Sequence, residues 1–498
     1  MELTKYKRQY LISSSPIKKL SSWTHSTFNE YHIYVEKSLE FTKCENKDIK
    51  ASLLGYWINP EKPDLSNKEI LDNLIDSCNS LNELFEFVYN LSGRFVLVYS
   101  LKNETYILSD ASGFRCVFYS KIKSNKYFTS SIALLKTIEN IQEKESLKKY
   151  YKSDHYLHTP TFMWHAGYTF FDGIEQLIPN HYLDTKRLSQ IRFYPSTKNT
   201  IVTKPDGIEK IENEITQLLK NSIQSLHKRK PIALALSAGN DSRVLISLMK
   251  GISKQVLFWI SYRSKKEADF YVPKKILEYY NLKFLPIKNK NPNNRFKKFY
   301  FENTVMAHKI WCEFNYSKLN KFPEDHIVIR GASAESARNY YYPNYSSKHP
   351  EKITMDYLCT IPNLSFLRIP DLQLDFKNWL DSMREIEEEL HYKTLDFLFW
   401  EHREGSWQAQ NQLESDYHFE VFVPYNNRKI LDLMLKLPNN LRDKKDPKLY
   451  KNIISKNWAE LNSFAINPKD KFSKFELKLK YYKGAFKYKI NKLWNRIN

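Results

Sequence analysis

Continuous apolar segments alternate with helix-like segments in the middle of this 498-residue chain. PIALALS (231–237), QVLFWISY (255–262), LKFLPI (282–287) and HIVIRG (326–331) each have the composition of a strand that is buried on both faces. Strands of this kind form parallel sheets, because the helices that connect them cover both faces of the sheet. The pattern predicts an α/β domain with a doubly wound parallel sheet and, from about residue 355 onward, a helical C-terminal part.

The first part of the chain has a different pattern of apolar residues. RFVLVYS (94–100) and ETYILSD (104–110) are strand-like runs separated by three residues, which predicts a β-hairpin. KYFTSSIALL (126–135) reads as a strand that runs into a short helix, and residues 66–91 have helical spacing. We therefore expect a sheet-rich α+β domain ahead of the parallel sheet.

A polar segment that contains a proline, residues 196–206, separates these two parts of the chain and reads as a linker. Apolar residues then recur at steps of three and four from 208 to 226, as in an amphipathic helix. This organisation predicts two domains, 1–195 and 205–498.

The formal net charge of +21 allows two interpretations. It fits a polyanionic partner such as nucleic acid, or the lysine-rich composition of a protein from an AT-rich genome. The second is favoured because the charge is spread along the chain, so a nucleic-acid partner is not expected. The basic, aromatic tail 471–498 is either a solvated terminal helix or a peripheral contact with an anionic membrane surface.

The spacing of the cysteines and histidines does not indicate a metal site. The five cysteines are far apart and form no CxxC pair, and His155, His158 and His165 lack the spacing of metal ligands. A sparse, odd number of cysteines suits a reducing compartment. The N-terminus has no signal-peptide pattern, and no apolar window approaches the roughly 18 residues of a membrane span. We expect a cytoplasmic protein.

The loop SAGNDS (237–242) lies between the first predicted strand of the parallel sheet and its helix. Ligands bind at the carboxyl ends of such strands, and the free N–H groups of a helix N-terminus attract anions. Gly239 permits close approach of a phosphate, and Ser237 and Ser242 add hydroxyl donors. Asp241 would repel a bare phosphate, so it implies a bridging divalent cation. The alternative is an ordinary turn in which Asp241 and Ser242 cap the helix.

This loop resembles the SGGxDS pyrophosphate loop of the PP-loop ATPases, with Ala238 in place of the second residue's glycine. Three earlier segments are similar to the glutaminase domain of asparagine synthetases: residues 92–120, 128–135 and 168–183. VIRGASAES (328–336) and residues 415–438 are similar to that family's synthetase domain. The resemblance implies an α+β N-terminal sandwich of the Ntn type, a PP-loop domain, and the use of ATP and Mg²⁺.

Three departures from the family pattern affect the expected chemistry. The family's glutaminase nucleophile is an N-terminal cysteine, whereas this chain has Glu2 there and its first cysteine is Cys44. Glutamine hydrolysis is therefore not expected, and nitrogen would come from ammonia or an amine. Ala332 and Ser333 alter the loop near the acyl-adenylate, so 332 offers no base. The segment PYNNR (424–428) replaces the family's PFLD, and we expect it to pack at a domain corner.

The resemblance assigns roles to individual residues. Phosphate binding falls to Ser237, Gly239, Asp241 and Ser242, and Mg²⁺ to Asp241 and Glu335. Two late lysines match the family's pyrophosphate-binding positions, Lys451 and Lys469, with Lys471 as a rival for the second. Arg338 either clamps an acidic substrate or pairs with a nearby carboxylate.

The leading hypothesis is an ATP-dependent ligase that adenylates a small-molecule or sugar carboxylate and transfers it to ammonia or an amine. By resemblance, its product belongs to surface-polysaccharide or natural-product biosynthesis. The alternatives are a PP-loop enzyme that modifies tRNA and a non-catalytic relative of the family.

Overall fold

The computed structural model describes residues 3–151, 167–342, 350, 352–361, 364, 367, 370–444 and 446–472. Glu2, the three histidines at 155, 158 and 165, and most of the basic tail (473–498) lie outside the described residues. Three sheets are present in the described ranges: two antiparallel sheets of six strands each and one parallel sheet of five.

The strands are β1 (Tyr10–Ser13), β2 (Thr24–Phe28), β3 (Tyr31–Val35), β4 (Phe41–Glu45), β5 (Ile49–Ile58), β6 (Ser92–Leu101), β7 (Glu104–Ser109), β8 (Phe118–Ile122), β9 (Asn125–Thr129), β10 (Ile174–Gln176), β11 (His181–Asp184), β12 (Ser189–Arg192), β13 (Ile232–Ala235), β14 (Leu257–Tyr262), β15 (Phe284–Lys288), β16 (Ile327–Ile329) and β17 (Glu420–Phe422). The α-helices span Asn67–Ser77, Leu81–Tyr89, Ile132–Leu135, Glu145–Tyr151, Pro205–Arg229, Asn240–Leu248, Ala268–Tyr279, Asn294–Asn303, Lys309–Lys318, Met355–Thr360, Pro370–Leu390, Thr394–Phe397, Ala409–Leu413, Arg428–Leu435 and Lys448–Trp458, and Leu398–Gln408 is π-helical.

The two antiparallel sheets pack face to face, and the alternation of side chains along each strand explains why. Their orders are β10-β8-β9-β1-β3-β2 and β12-β11-β7-β6-β5-β4. Val96 and Val98 of β6 enter the core between the sheets, whereas Phe95 and Leu97 face the helices Asn67–Ser77 and Leu81–Tyr89 on the other side. β6 is therefore covered on both faces.

The hairpin, the helices within 66–91 and the strand–helix step at 126–135 are confirmed. β6 and β7 pair antiparallel, and the turn between them places Lys102 and Asn103 at positive φ. A right-handed strand twist favours this kind of two-residue turn.

The parallel sheet has the order β15-β14-β13-β16-β17, so its first strand in the chain lies at the centre. The four predicted strands are confirmed, and β17 (Glu420–Phe422) was not predicted. The order reverses direction between β13 and β16, which makes the carboxyl ends of these two strands the switch point where doubly wound sheets bind ligands.

The helix Ala268–Tyr279 contains Pro273 in its interior. Three of the first four N–H donors around 268–271 already have partners. Those of Phe270 and Tyr271 bond to Glu267, and that of Ala268 bonds to Asp470 Oδ1. The helix start is therefore fixed without the proline.

Ion pairs in the interior join the antiparallel sheets to the parallel sheet. Arg94 of β6 forms a two-pronged pair with Asp416, with 2.9 Å between Nη2 and Oδ2. Arg115 Nη2 lies 2.8 Å from Oε1 of Glu420, at the start of β17. All four side chains are buried or nearly so, so the two regions fold against each other as one body.

The segment 424–428 lies at the same junction. Asn426 Nδ2 donates to the carbonyl of Gly93 at 2.6 Å and to Asp110 Oδ1 at 2.8 Å. Asn427 forms an isolated β-bridge with Ser92. The expectation that this segment packs at a domain corner agrees with these contacts.

Of the helices in the described residues, none is both long and apolar enough to cross a membrane.

Candidate functional site

Two loops meet at the switch point of the parallel sheet. One follows β13 and leads into the helix Asn240–Leu248; the other follows β16 and begins at Gly331. A Cβ atom on Gly331 would lie 3.0 Å from Asp241 Cβ and 3.2 Å from the Asp241 carbonyl carbon. Glycine at 331 therefore lets the second loop pass directly beside Asp241.

The 237–242 loop is organised by its two serines. Ser242 Oγ accepts from the Ser237 N–H at 3.0 Å, and the two hydroxyls lie 3.0 Å apart. Gly239, not Asp241 or Ser242, is the N-cap residue, and it makes no side-chain cap. The free N–H groups at the start of this nine-residue helix accordingly face the loop, as anion binding requires.

A late segment of the chain holds the loop from outside. Asn467 N–H donates to the Ala238 carbonyl at 3.1 Å, and the Ala238 N–H donates to Asp269 Oδ1 at 2.9 Å. The buried guanidinium of Arg243 donates to the carbonyls of Phe464 and Ala465 at 2.7 and 2.8 Å. These bonds fix the loop without using the groups that face the switch point.

The two carboxylate oxygens of Asp241 have different surroundings. Its Oδ2 accepts from Arg338 Nη2 at 2.7 Å, and its buried Oδ1 has no hydrogen-bond partner among the described residues. Burial, reinforced by the negative charge of Glu335 and opposed by Arg338, raises the pKa of Asp241 to about 6. A buried oxygen without a donor is expensive unless a ligand completes it.

Arg338 brings the two predicted metal ligands together. Its Nη2 lies 2.7 Å from Asp241 Oδ2 and 3.5 Å from Glu335 Oε1. Of the two roles considered for Arg338, the structure contains the ion pair with a carboxylate. The described part of the chain contains no group of three or more His, Cys, Asp or Glu side chains arranged for a metal. Two carboxylates with one open oxygen still fit Mg²⁺, which typically binds proteins through one or two carboxylates and completes its shell with water and phosphate.

The altered loop at 332–335 contacts a buried glutamate that the sequence analysis missed. Ser333 adopts a left-handed conformation with φ of 62°, and its Oγ donates to Glu404 Oε2 at 2.7 Å. Burial raises the pKa of Glu404 to about 8, and the charge of Glu335 adds to this rise. Glu404 is therefore largely protonated at neutral pH.

Arg403, the preceding residue, was also missed. Its guanidinium carbon lies 5.0 Å from the ring centre of Tyr340 and 4.2 Å from that of Trp407. Lys444 Nζ lies 3.8 Å from the Tyr340 ring centre, and burial lowers the pKa of Lys444 to about 8. Arg403 and Lys444 place further positive charge beside the loop that carries Glu335.

One sequence signal would have found Arg403 and Glu404. The run WEHREGSW (400–407) has four ionisable residues between tryptophans, and residues 400–405 are buried in the π-helical segment Leu398–Gln408. Buried charged residues in an aromatic helix are rare without a partner, and π-helical turns are frequent at functional sites.

The candidate lysines lie in different settings. Lys451 Nζ pairs with Asp446 Oδ1 at 2.5 Å, and its side chain is 44% exposed. Lys469 belongs to the segment that contacts the 237–242 loop, and its carbonyl accepts from Tyr271 Oη at 2.9 Å. Lys471 Nζ stacks on the Tyr271 ring at 4.2 Å. Lys469 and Lys471 therefore belong to the late segment that contacts the 237–242 loop.

Comparisons with known proteins identify no family. No family model matches the chain, and no curated protein matches it. Among solved structures, the B. subtilis glutamine phosphoribosylpyrophosphate amidotransferase complexed with ADP and GMP covers 67% of this chain and 71% of its own, at 9% identity and a TM-score of 0.24.

The NH3-dependent NAD synthetase from Campylobacter jejuni covers 41% of this chain and 96% of its own, at 12% identity and a TM-score of 0.20. An allosteric regulatory enzyme of purine biosynthesis covers 66% and 70%, at 9% identity and a TM-score of 0.25. Likenesses this distant carry no argument about function, which rests on the site itself.

Proposed function

We propose that this chain is an ATP-dependent carbon–nitrogen ligase that adenylates a carboxylate and transfers the acyl group to ammonia or an amine. The observation that carries the proposal is the open, buried Oδ1 of Asp241 at the switch point of the sheet. It lies in a loop with serine hydroxyls, a helix N-terminus and a second carboxylate, Glu335, on the same arginine. This combination suits a phosphate chain with its cation.

In the first step, a carboxylate oxygen of the substrate attacks the α-phosphorus of ATP. The bond from that phosphorus to the bridging oxygen breaks, and its electron pair leaves with pyrophosphate. Ser237, Ser242 and the N–H groups that start the helix Asn240–Leu248 would stabilise the developing charge. Mg²⁺, when bound at Asp241 and Glu335, would supply further positive charge.

In the second step, the nitrogen of ammonia or an amine attacks the acyl carbonyl carbon. The bond from that carbon to the AMP oxygen breaks and its electron pair leaves with AMP, an amide forms, and the nitrogen releases one proton to solvent. Ala332 offers no acceptor for that proton.

The proposal excludes glutamine as the nitrogen source. Cys44, the first cysteine in the sequence, lies inside the chain on β4, whereas an N-terminal nucleophile needs a free α-amine beside it. Burial, reinforced by the hydrogen bond to Asp72, raises the pKa of the Cys44 thiol, which leaves it protonated. We propose a small-molecule or sugar carboxylate as the acid, as in surface-polysaccharide or natural-product pathways.

The test is the release of AMP and pyrophosphate from Mg-ATP. A panel of carboxylates (aspartate, uronic acids and short peptides) is offered with ammonia or with glutamine. Asp241→Asn keeps the shape of the side chain and should reduce turnover by at least about 100-fold. Asp76→Asn, at an exposed position, is the matched control. Turnover that persists in Asp241→Asn would contradict the proposal, and stimulation by glutamine would contradict the assignment of nitrogen source.

One observation favours a second candidate, a non-catalytic relative that binds nucleotide. Arg338 already occupies Oδ2 of Asp241 at 2.7 Å, in the place where a cation would bind. This candidate predicts saturable Mg-ATP binding with no AMP release for any acid in the panel. Calorimetric titration of Mg-ATP beside the turnover assay separates the two.

A further inference from the structure

Two buried guanidinium groups border the candidate site, and only one of them is neutralised. Arg338 is paired with Asp241 and Glu335. Arg403 is 5% exposed, and its Nε and Nη1 have no hydrogen-bond partner among the described residues. An unpaired buried guanidinium is costly, because it has lost water without gaining an acceptor.

Two aromatic rings fix the plane of the Arg403 guanidinium, and its Nε and Nη1 are left without an acceptor among the described residues. Tyr340 and Trp407 lie at 5.0 and 4.2 Å from the guanidinium carbon, at stacking distance. Contacts with ring faces use the π-surface of the guanidinium, whereas its N–H donors point outward in the plane. An anionic oxygen that lies in this plane can accept from Nη1 or from Nε, the two donors that lack an acceptor.

The nearby carboxyl groups have other partners. Glu404 Oε2 accepts from Ser333 at 2.7 Å, and Glu335 Oε1 lies 3.5 Å from Arg338. The Ser333–Glu404 bond also places Arg403 next to the loop that follows β16, two residues from Glu335. Arg403 therefore belongs to the same site as Asp241.

We propose that Arg403 determines substrate specificity by binding a carboxylate that is not itself adenylated. This inference rests on the proposed function, and it identifies the substrate pair as one that carries a second carboxylate. That group belongs either to the acid that is activated or to the amine that accepts it. A carboxylate is favoured over a phosphate because Asp241 and Glu335 already bring negative charge, and a monoanion adds less repulsion than a dianion.

The first experiment measures binding to the full chain, without turnover. Calorimetric titrations compare succinate with butyrate for the acid, and glycine with glycinamide for the amine, each in the presence of Mg-AMP. The wild-type chain should prefer the member with the extra carboxylate by roughly 10- to 100-fold in one of the two pairs. The pair in which the preference occurs identifies which substrate carries the group.

Variants assign the preference to Arg403. Arg403→Gln should abolish it, and Arg403→Lys should retain only part of it, because lysine keeps the charge and loses the planar fork. Arg330→Gln is the matched control. It removes a positive charge at the end of β16, where the donors of Arg330 already serve Asn411 and Ser415. Thermal unfolding of each variant establishes that it is folded.

The outcomes distinguish this inference from the proposed function. A preference that depends on Arg403 in a chain that releases no AMP would support the inference and overturn the ligase function. AMP release in which Arg403→Gln leaves the preference for the extra carboxylate unchanged would overturn the inference alone. A wild-type chain without preference in either pair would also overturn it.

Discussion

Buried charged side chains occur in two regions of this molecule, and the two regions differ in how fully those side chains are paired. At the junction between the antiparallel and parallel sheets, both oxygens of Asp416 receive hydrogen bonds, from Arg94 and Gln9. At the switch point, Asp241 Oδ1 and two nitrogens of Arg403 have no partner among the described residues. The polar groups are similar, but only at the junction are both oxygens of the buried aspartate satisfied.

The difference separates structural charge from functional charge. A satisfied buried ion pair holds two parts of the chain in one geometry, and breaking it leaves an uncompensated charge. Where a buried polar group lacks a partner, the free protein bears the desolvation penalty, and a ligand that supplies the missing hydrogen bond offsets that penalty. Substitutions at the junction should therefore change the stability of the protein. Substitutions at the switch point should change ligand binding and turnover.

The largest effect is expected at the junction. Asp416→Asn should lower the free energy of unfolding by roughly 3–5 kcal/mol, because Arg94 keeps its buried charge and loses its closer counterion, with Glu420 Oε1 left at 3.3 Å. Urea unfolding measures the loss. Asp241→Asn, which removes a carboxylate that is already disfavoured by burial, should cost less than about 1 kcal/mol. Equal losses at the two sites would remove the distinction between them.

The second prediction concerns the pH dependence of stability. The pKa of Glu404 rises from 4.5 to about 8 on folding, so the folded chain binds the proton more tightly than the unfolded chain. Its contribution is fully present below pH 4.5 and is lost as pH rises toward 8, at up to about 1.4 kcal/mol per unit. Glu404→Gln should remove this slope, which paired unfolding curves from pH 5 to 8 would reveal. Parallel curves for wild type and variant would contradict the protonated state.

A third prediction sharpens the comparison among lysines. Lys469→Ala should reduce pyrophosphate release by roughly 100-fold, because its segment adjoins the 237–242 loop. Lys451→Ala should change it by less than about threefold, because that half-exposed Nζ is paired with Asp446. Initial rates at saturating Mg-ATP measure both, and the reverse order would move the pyrophosphate contact to Lys451.

The smallest effect is expected at the close approach of the two loops. Gly331→Ala places a Cβ 3.0 Å from Asp241 Cβ, so the loops must separate by a few tenths of an ångström. We expect a stability loss of about 1 kcal/mol and a measurable rise in KM for Mg-ATP. Gly251→Ala, where a Cβ meets nothing within 4 Å, is the control. A KM unchanged by Gly331→Ala would show that the spacing tolerates the extra atom.

Local patterns in the sequence predict much of the fold. The β6–β7 hairpin and four strands of the parallel sheet follow from alternating or continuous apolar runs, which require only neighbouring residues. β17 was not predicted: it is short and is not one of the alternating strand–helix segments, and its partner β16 lies far away in the chain.

The site is predictable only in part, for the same reason. The loop at 237–242 is visible as a motif, but the Arg338–Asp241 pair spans 97 positions and the Ser333–Glu404 bond spans 71. The composition of 400–404 marks those residues as unusual, yet only the tertiary packing of the π-helical segment shows which loop they face.

The hydrogen bonds from Arg243 to the carbonyls of Phe464 and Ala465 tie the loop to a segment far along the chain. Arg243 directly follows the 237–242 loop, and its hydrogen bond to Ala465 spans 222 positions of the chain. During synthesis, β13 and the helix Asn240–Leu248 emerge from the ribosome long before the segment that holds the loop. A nascent chain that ends before Phe464 therefore contains every residue of the SAGNDS motif and still lacks the brace that holds it in shape. The shape of the loop is therefore completed only by residues that are synthesised after the last strand of the parallel sheet.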